Sequence, residues 1–244
     1  MIRFIYIIQQ LAFIIIPFGM IYSIVCRHFI LSGVIMLFAV LLIWGIFDLR
    51  LSLFVPVVNR LKTKEKKVIL TFDDSPGVCT NSILSTLEKE NIHATFFLIG
   101  KNAAEHGALV KKIHESGHSI GIHTQNHSLQ FPFRGQTYTK KEIEDCKTFI
   151  ENITGRETLL FRPPFGITNP VIARITREMK LTVTGWTIRS LDTRINNKSH
   201  LIKRILNRLS AGAIILLHDL PHTSDILQEL ITEIRKKGYG FQEL

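Results

Sequence analysis

Val68-Ile69-Leu70-Thr71-Phe72-Asp73-Asp74-Ser75-Pro76 is the stretch from which the rest of the chain can be read. Its first five residues are apolar or β-branched, two adjacent carboxylates follow, and Ser-Pro ends the run. This pattern predicts a buried strand whose carboxyl end delivers Asp73 and Asp74 to a cleft. Neighbouring acids repel unless a cation or an arginine offsets them. Turn chemistry alone would let the pair merely cap the next helix. Residues far down the chain favour a site instead. His123 and His127 stand four apart, Arg162 opens Arg-Pro-Pro-Phe-Gly, and His218 lies in Leu-Leu-His-Asp. Each follows or ends a strand-like run.

Outward from that stretch, strands and helices alternate. Residues 81–90 read as a helix and 94–99 as a second strand. A helix over 103–116 closes at Gly117, and a short strand over 119–122 ends at His123. A helix over 139–153 turns Ile143, Cys146 and Ile150 inward. A strand over 158–161 then ends at Arg162, with a helix over 169–179 and a strand over 181–186 beyond it. Helices over 199–209 and 224–237 flank a strand over 213–217 that ends at His218, and 239–242 reads as a seventh strand. Such alternation predicts a parallel sheet with right-handed crossovers. An open flavodoxin-like sheet shows the same alternation. Special residues at the ends of several strands converge more easily at the mouth of a barrel.

Thr71-Phe72-Asp73-Asp74-Ser75-Pro76, His123-Thr124-Gln125-Asn126-His127, Arg162-Pro163-Pro164-Phe165-Gly166 and Leu216-Leu217-His218-Asp219 resemble, in this order, the motifs of the NodB-like polysaccharide deacetylases, carbohydrate esterase family 4. The resemblance spans residues 67–243. It implies a distorted (β/α) barrel of about seven strands, fewer than the eight of the usual barrel. Asp74, His123 and His127 form a two-histidine, one-carboxylate set. Three protein ligands leave positions open for water and substrate, as at a catalytic divalent metal, with zinc favoured by ligand type. A bound metal polarises an amide carbonyl and acidifies a bound water. Asp73, beside the ligand, is placed to take that water's proton. Amide hydrolysis also needs an acid for the leaving amine, and His218 fits.

The resemblance gives the same roles to Asp73 and His218, pairs Arg162 with Asp73, and makes Asp192 the residue that orients His218. It also implies an oxyanion contact from the Phe165 backbone N–H and an acetyl pocket walled by Trp186 and Leu216. His93, His106, His114 and His118 have no such company and read as ordinary core or surface histidines. The chain departs from the family in two places. Ser75 stands where the family commonly has glycine. The fourth motif, often Asp-x-x-Asp-Trp, reads Arg189-Ser190-Leu191-Asp192-Thr193 here, which opens the choice of substrate.

The 244 residues are 46% hydrophobic, with a mean hydropathy of +0.20, too apolar for disorder. The excess sits at the amino terminus. Residues 4–26 are nearly all apolar, Arg27-His28 interrupts, and 29–47 is uncharged. Each run is long enough to span a hydrocarbon layer of about 30 Å as a helix. The first run exceeds a usual signal core and lacks a small-x-small cleavage site, so a transmembrane hairpin is expected rather than a cleaved leader. Residues 48–59 read as an interfacial connector, and Lys62, Lys64, Lys66 and Lys67 as a basic linker. The expected division is a membrane anchor over 1–60 and a catalytic domain over 61–244.

A net charge of +10 suits anionic headgroups, and no motif supports nucleic acid as a partner. Counting Lys and Arg beside the two apolar runs favours a multi-pass protein with its catalytic domain in the cytoplasm. Glycan-acting relatives would be expected outside. Cys79 and Cys146 show neither a disulfide framework nor a Cys-x-x-Cys metal pattern. Nothing in the chain fixes an oligomeric state. The expected activity is metal-dependent removal of N-acyl groups from amino sugars of a glycan or glycolipid. The alternatives are a deacylase of lipid-linked sugars at the cytoplasmic face and a glycan-binding pseudoenzyme.

Overall fold

The computed structural model describes residues 15–22, 25 and 29–244. In chain order the elements are α1 (Phe29–Phe47), β1 (Val57–Val58), β2 (Lys67–Ser75), α2 (Thr80–Lys89), β3 (Thr95–Leu98), α3 (Gly100–Glu105), α4 (Gly107–Glu115), β4 (Ser119–Ile122), α5 (Gln136–Thr154) and β5 (Leu160–Phe161). They continue as α6 (Pro170–Glu178), β6 (Thr182–Thr184), β7 (Ile188–Arg189), α7 (Lys198–Leu206), β8 (Ile214–His218), α8 (Pro221–Lys236) and β9 (Gly240–Phe241).

β2 is the longest strand and lies inside the sheet, in the order β1-β6-β5-β4-β3-β2-β8-β7. All strand pairings are parallel, and β9 joins the start of β2 separately, Lys67 opposite Gly240. Val68 to Asp73 are all buried, as expected of a parallel strand covered on both faces. The Phe72 and Phe96 rings stack at 5.1 Å between β2 and β3. Around the sheet, α2, α4, α6, α7 and α8 bury their Ile and Leu faces, including Ile83, Leu84 and Leu87 of α2.

Two of the expected features change. Among the described residues the sheet is not a seven-stranded barrel but a curled half-barrel of nine strands, because two-residue pieces, β1 and β7, extend its two ends. β6 and β7 lie near opposite ends of the strand order yet are joined by three residues, 185–187, so the sheet must curl. Gly185 makes the crossing possible, since a Cβ there would stand 2.0 Å from Asn59 Oδ1. The helix expected over 103–116 divides at His106 into α3 and α4.

The stretch read as a connector is built into this body. Leu49, Phe54 and Val55 are buried in the core, β1 pairs with β6, and Leu61 N–H donates to Gly212 O. α1 is apolar all round, and Gly45 is its one buried residue. Its length and composition suit a membrane span or a signal sequence. Its end is seated on the domain. Thr168 N–H donates to Ile46 O at 3.1 Å, and Leu53 packs against Gly45. Of the other arm of the expected hairpin only residues 15–22 and 25 are described, and they are helical. The turn between the arms lies outside the described residues.

Candidate active site

The carboxyl ends of the parallel strands gather the residues singled out by sequence. Asp73 and His218 occupy the same rung of the sheet, on β2 and β8, where Asp219 N–H donates to Asp73 O. The backbones of the two residues therefore stand at neighbouring-strand spacing, about 4.8 Å, with their side chains leaving the sheet side by side.

Asp73 is 4% exposed and Arg162 wholly buried. Arg162 NH1 donates to Asp73 Oδ1 at 2.6 Å and to Thr71 Oγ1 at 2.8 Å. Its Nε and NH2 go to the carbonyls of Thr184 and Gly185. The guanidinium also lies over the Phe97 ring, 4.0 Å from its centroid. Burial draws its pKa below the ordinary arginine value, and the Asp73 carboxylate opposes that shift.

His218 is held twice by Asp192. Its backbone N–H donates to Asp192 Oδ2 and its Nδ1 pairs with Oδ1, both at 2.7 Å, and Thr223 Oγ1 also donates to Oδ2. This leaves Nε2 as the free ring nitrogen. Burial alone would lower the His218 pKa. The hydrogen bond and charge of Asp192, with the charges of Asp73 and Asp74, outweigh burial and raise it. The imidazolium is thereby favoured. For Asp192 burial works upward, but its bonds to His218 and Thr223 win and its pKa falls.

Asp74, His123 and His127 offer ligand atoms that all lie within 4.8 Å of one another. His123 and His127 Nε2 stand 3.7 and 3.5 Å from Asp74 Oδ1. Ligands at about 2.1 Å from a tetrahedral zinc stand roughly 3.4 Å apart, so this spacing suits an ion. The donor set also asks for one: Asp74 Oδ1 is buried with no hydrogen-bond partner. His123 Nδ1 is 2.6 Å from Arg162 O, which assigns the Nδ1–H tautomer and leaves Nε2 as a lone-pair donor. Burial, and then the nearness of His123, lowers the His127 pKa and favours the neutral ring a metal requires.

The Phe165 ring lies 4.8 Å from that of His127, on a loop where Phe165 itself has φ +61. Trp186 and Leu216 are buried. Arg162 and Arg189 both place their guanidinium carbons near the Trp186 ring, at 6.0 and 5.8 Å. Gly166 is indispensable to that packing: with φ +70 it leaves room where a Cβ would sit 2.4 Å from the indole.

Sequence reading missed several residues that hold the site. Asp219 accepts from the backbone of Gly77 and Cys79 and from the hydroxyls of Thr80 and Ser75. Ser75, where the family often has glycine, is thus absorbed by Asp219. Glu142 of α5 accepts both N–H groups of Asn126, and Thr124 Oγ1 accepts from His127 N–H. Thr71 and Asp219 lie inside the motifs and could have been found there. Glu142 left only an acid on an inward helix face as its signal.

A family model described as polysaccharide deacetylase matches residues 60–184. The peptidoglycan-N-acetylglucosamine deacetylase of Bacillus cereus is 34% identical over 196 residues, which is 75% of this chain and 71% of that protein. The peptidoglycan-N-acetylmuramic acid deacetylase PdaC of Bacillus subtilis is 32% identical over 189 residues, 75% of this chain and 39% of that protein. Among solved structures, a mutant of the CE4 family pseudoenzyme BA3943 with restored enzymatic activity superposes with a TM-score of 0.73 at 26% identity. It covers 78% of this chain and 70% of its own.

Proposed function

The chain belongs to the polysaccharide deacetylase family, and we propose that it hydrolyses the N-acetyl amide of an amino sugar in a glycan. The observation that carries this reading is the pair on one rung, Asp73 and His218, each held by its own charged partner beside the Asp74–His123–His127 cluster. A fold match alone would not suffice, since one solved relative is a pseudoenzyme whose activity a mutation restores.

Arg162 binds Asp73 through Oδ1, so Oδ2 is the oxygen left to receive a proton from the attacking water. That water adds to the carbonyl carbon, and the carbon–nitrogen bond breaks. His218, protonated and held through Nδ1, gives its Nε2 proton to the departing amine. The products are acetate and a free amino sugar. Asp74, His123 and His127 would hold a divalent ion, zinc by ligand type, which supplies Lewis-acid polarisation of the carbonyl and of water. The Phe165 N–H is assigned to the oxyanion, and Trp186 with Leu216 to the acetyl group.

The relatives' named substrates, N-acetylglucosamine and N-acetylmuramic acid residues of peptidoglycan, define the class to test. We assign α1 to the membrane, as part of an anchor that precedes the catalytic domain and forms a hairpin with the residues before it. The charge count near the apolar runs favours the cytoplasmic side for the domain.

The test is acetate release by the zinc-loaded full chain from N-acetylglucosamine oligomers and from peptidoglycan fragments. Asp73→Asn is expected to abolish release while metal, counted by mass spectrometry, stays bound. Metal-loaded protein that releases no acetate from any N-acetylated glycan overturns the reading in favour of a glycan-binding pseudoenzyme. Full metal retention in His123→Ala/His127→Ala removes the metal site.

A further inference from the structure

A continuous path of contacts runs from the end of the apolar helix to the mouth of the site. Ile46 O accepts from Thr168 N–H at 3.1 Å. The next residue, Asn169, donates through Nδ2 to Pro132 O at 2.6 Å. Pro132 lies in the 3-10 turn Phe131–Phe133, which follows His127. In that turn Phe131 is buried as an anchor and Phe133 is 73% exposed, and Leu129, just before the turn, is 75% exposed. Phe165, three residues before Thr168, keeps 39% of its surface exposed and packs on His127. Arg134, exposed, follows Phe133 directly, whereas Arg50 beyond the helix end is paired with Asp48.

From this path we propose that the mouth of the site lies against the bilayer surface. Leu129 and Phe133 enter the headgroup layer, and the substrate sugar is presented by a lipid-linked glycan. The nineteen residues of α1 span about 28 Å, close to one hydrocarbon layer, so Phe47 marks the interface. Three residues of chain reach at most about 10 Å, so the Phe165 backbone stands within that distance of Thr168, and the His127 ring lies one ring contact beyond the Phe165 ring, with 4.8 Å between their centroids. A domain tethered by a flexible linker could reach glycan far from the membrane, whereas this one is clamped by the Thr168–Ile46 bond and the Leu53–Gly45 contact. Two large exposed apolar side chains beside the mouth add to the apolar surface that α1 offers a bilayer, and Arg134 next to Phe133 adds a positive charge for anionic headgroups. The substrate assignment rests on the deacetylase reading, whereas the contact of α1 and the rim with the bilayer does not.

The experiment uses the full chain in phosphatidylcholine–phosphatidylglycerol vesicles with brominated acyl chains. Phe133→Trp is expected to be quenched beyond the wild-type background of Trp44 and Trp186. Glu157→Trp, at the opposite end of the sheet, is expected not to be. No quenching of Phe133→Trp beyond that background overturns the proposal and leaves the rim to a protein partner. In the second arm, zinc-loaded wild type and Leu129→Asp/Phe133→Asp act on a soluble N-acetylglucosamine oligomer and on the same sugars linked to polyprenyl diphosphate in vesicles. The double variant should lose about tenfold or more on the lipid-linked substrate and keep its rate on the soluble one. Equal loss on both, or no loss on either, overturns the substrate assignment. No acetate from either substrate with wild type would end the deacetylase reading, while quenching still decides the surface.

Discussion

Arg162→Met is the sharpest test of how the site is held. The guanidinium is wholly buried, and its NH1 lies 2.6 Å from Asp73 Oδ1, itself 4% exposed. Methionine fills much of the stem but removes the charge, so the Asp73 carboxyl is left without its counter-ion in a dry setting. Breaking a buried pair from one side costs about 3–5 kcal/mol. The carbonyls of Thr184 and Gly185 and the Thr71 hydroxyl lose their donors as well, and the Phe97 ring loses its cation. These losses overlap rather than add, so about 3–5 kcal/mol is expected for the whole change, a large share of a stability of about 5–15 kcal/mol. Asp73→Asn in the same background removes the stranded carboxyl. The double variant should then be more stable than the sum of the singles predicts, by about 2–3 kcal/mol. Urea unfolding in mild detergent, followed by the emission of Trp186 beside the guanidinium, measures all four corners of the cycle. A loss below about 1 kcal/mol for Arg162→Met, or simple additivity with Asp73→Asn, would refute the claim that the arginine serves as counter-ion.

Three further outcomes are expected. His218→Ala should lower turnover about 10²–10⁴-fold, the usual contribution of a positioned acid, with metal content unchanged by mass spectrometry. Gly166→Ala should cost about 2–4 kcal/mol, since the new Cβ meets Trp186 in a left-handed backbone; thermal melts with turnover measured alongside check it. Burial pushes the His118 pKa down to about 4, from an ordinary 6.5. Between those values the unfolded chain takes up a proton that the folded chain refuses, so stability is full above pH 6.5 and falls as pH drops toward 4. Urea midpoints across that window should fall less in His118→Asn, which keeps an acceptor for Ala94 N–H, than in the wild type.

The parts of the fold that could be read in sequence are those with long signals. β2 and β8 are apolar runs with a polar tip, because a strand buried on both faces must be apolar until it leaves the sheet. β1 and β7 could not be read, since two residues carry no period. Val57 and Ile188 are strand only because β6 and β8 lie beside them. Leu49, Phe54 and Val55 look like an interfacial connector in sequence for a related reason, although they are buried in the core. Apolar residues interleaved with charge look the same whether they meet headgroups or the edge of a core. In the site, residue types with few alternative uses stood out: paired aspartates, histidines after strands, an arginine before two prolines. Thr71 did not, because a β-branched residue in a strand needs no further reason. Asp219 was hidden by its neighbour. Its side chain turns away from the chemistry to gather Gly77, Cys79 and Thr80.

Backbone strain links these supporting residues to the chemistry. Among the described residues eight non-glycines have positive φ, and five of them, Asp74 near the end of β2 with Thr124, His127, Phe165 and Leu191 on loops, surround the site. Each such residue costs about 1–3 kcal/mol and persists only where its surroundings over-determine it. Those surroundings are specific. Thr124 receives the His127 N–H, Glu142 holds both donors of Asn126, and Asn102 Nδ2 donates to the Asp74 carbonyl. A left-handed residue just past a strand end reverses the chain sharply, and this brings His127 back toward Asp74 rather than onward with the loop. Glu142 and Asn102, which stand out in no motif, thus help hold the strained backbone that carries Asp74 and His127 to the site.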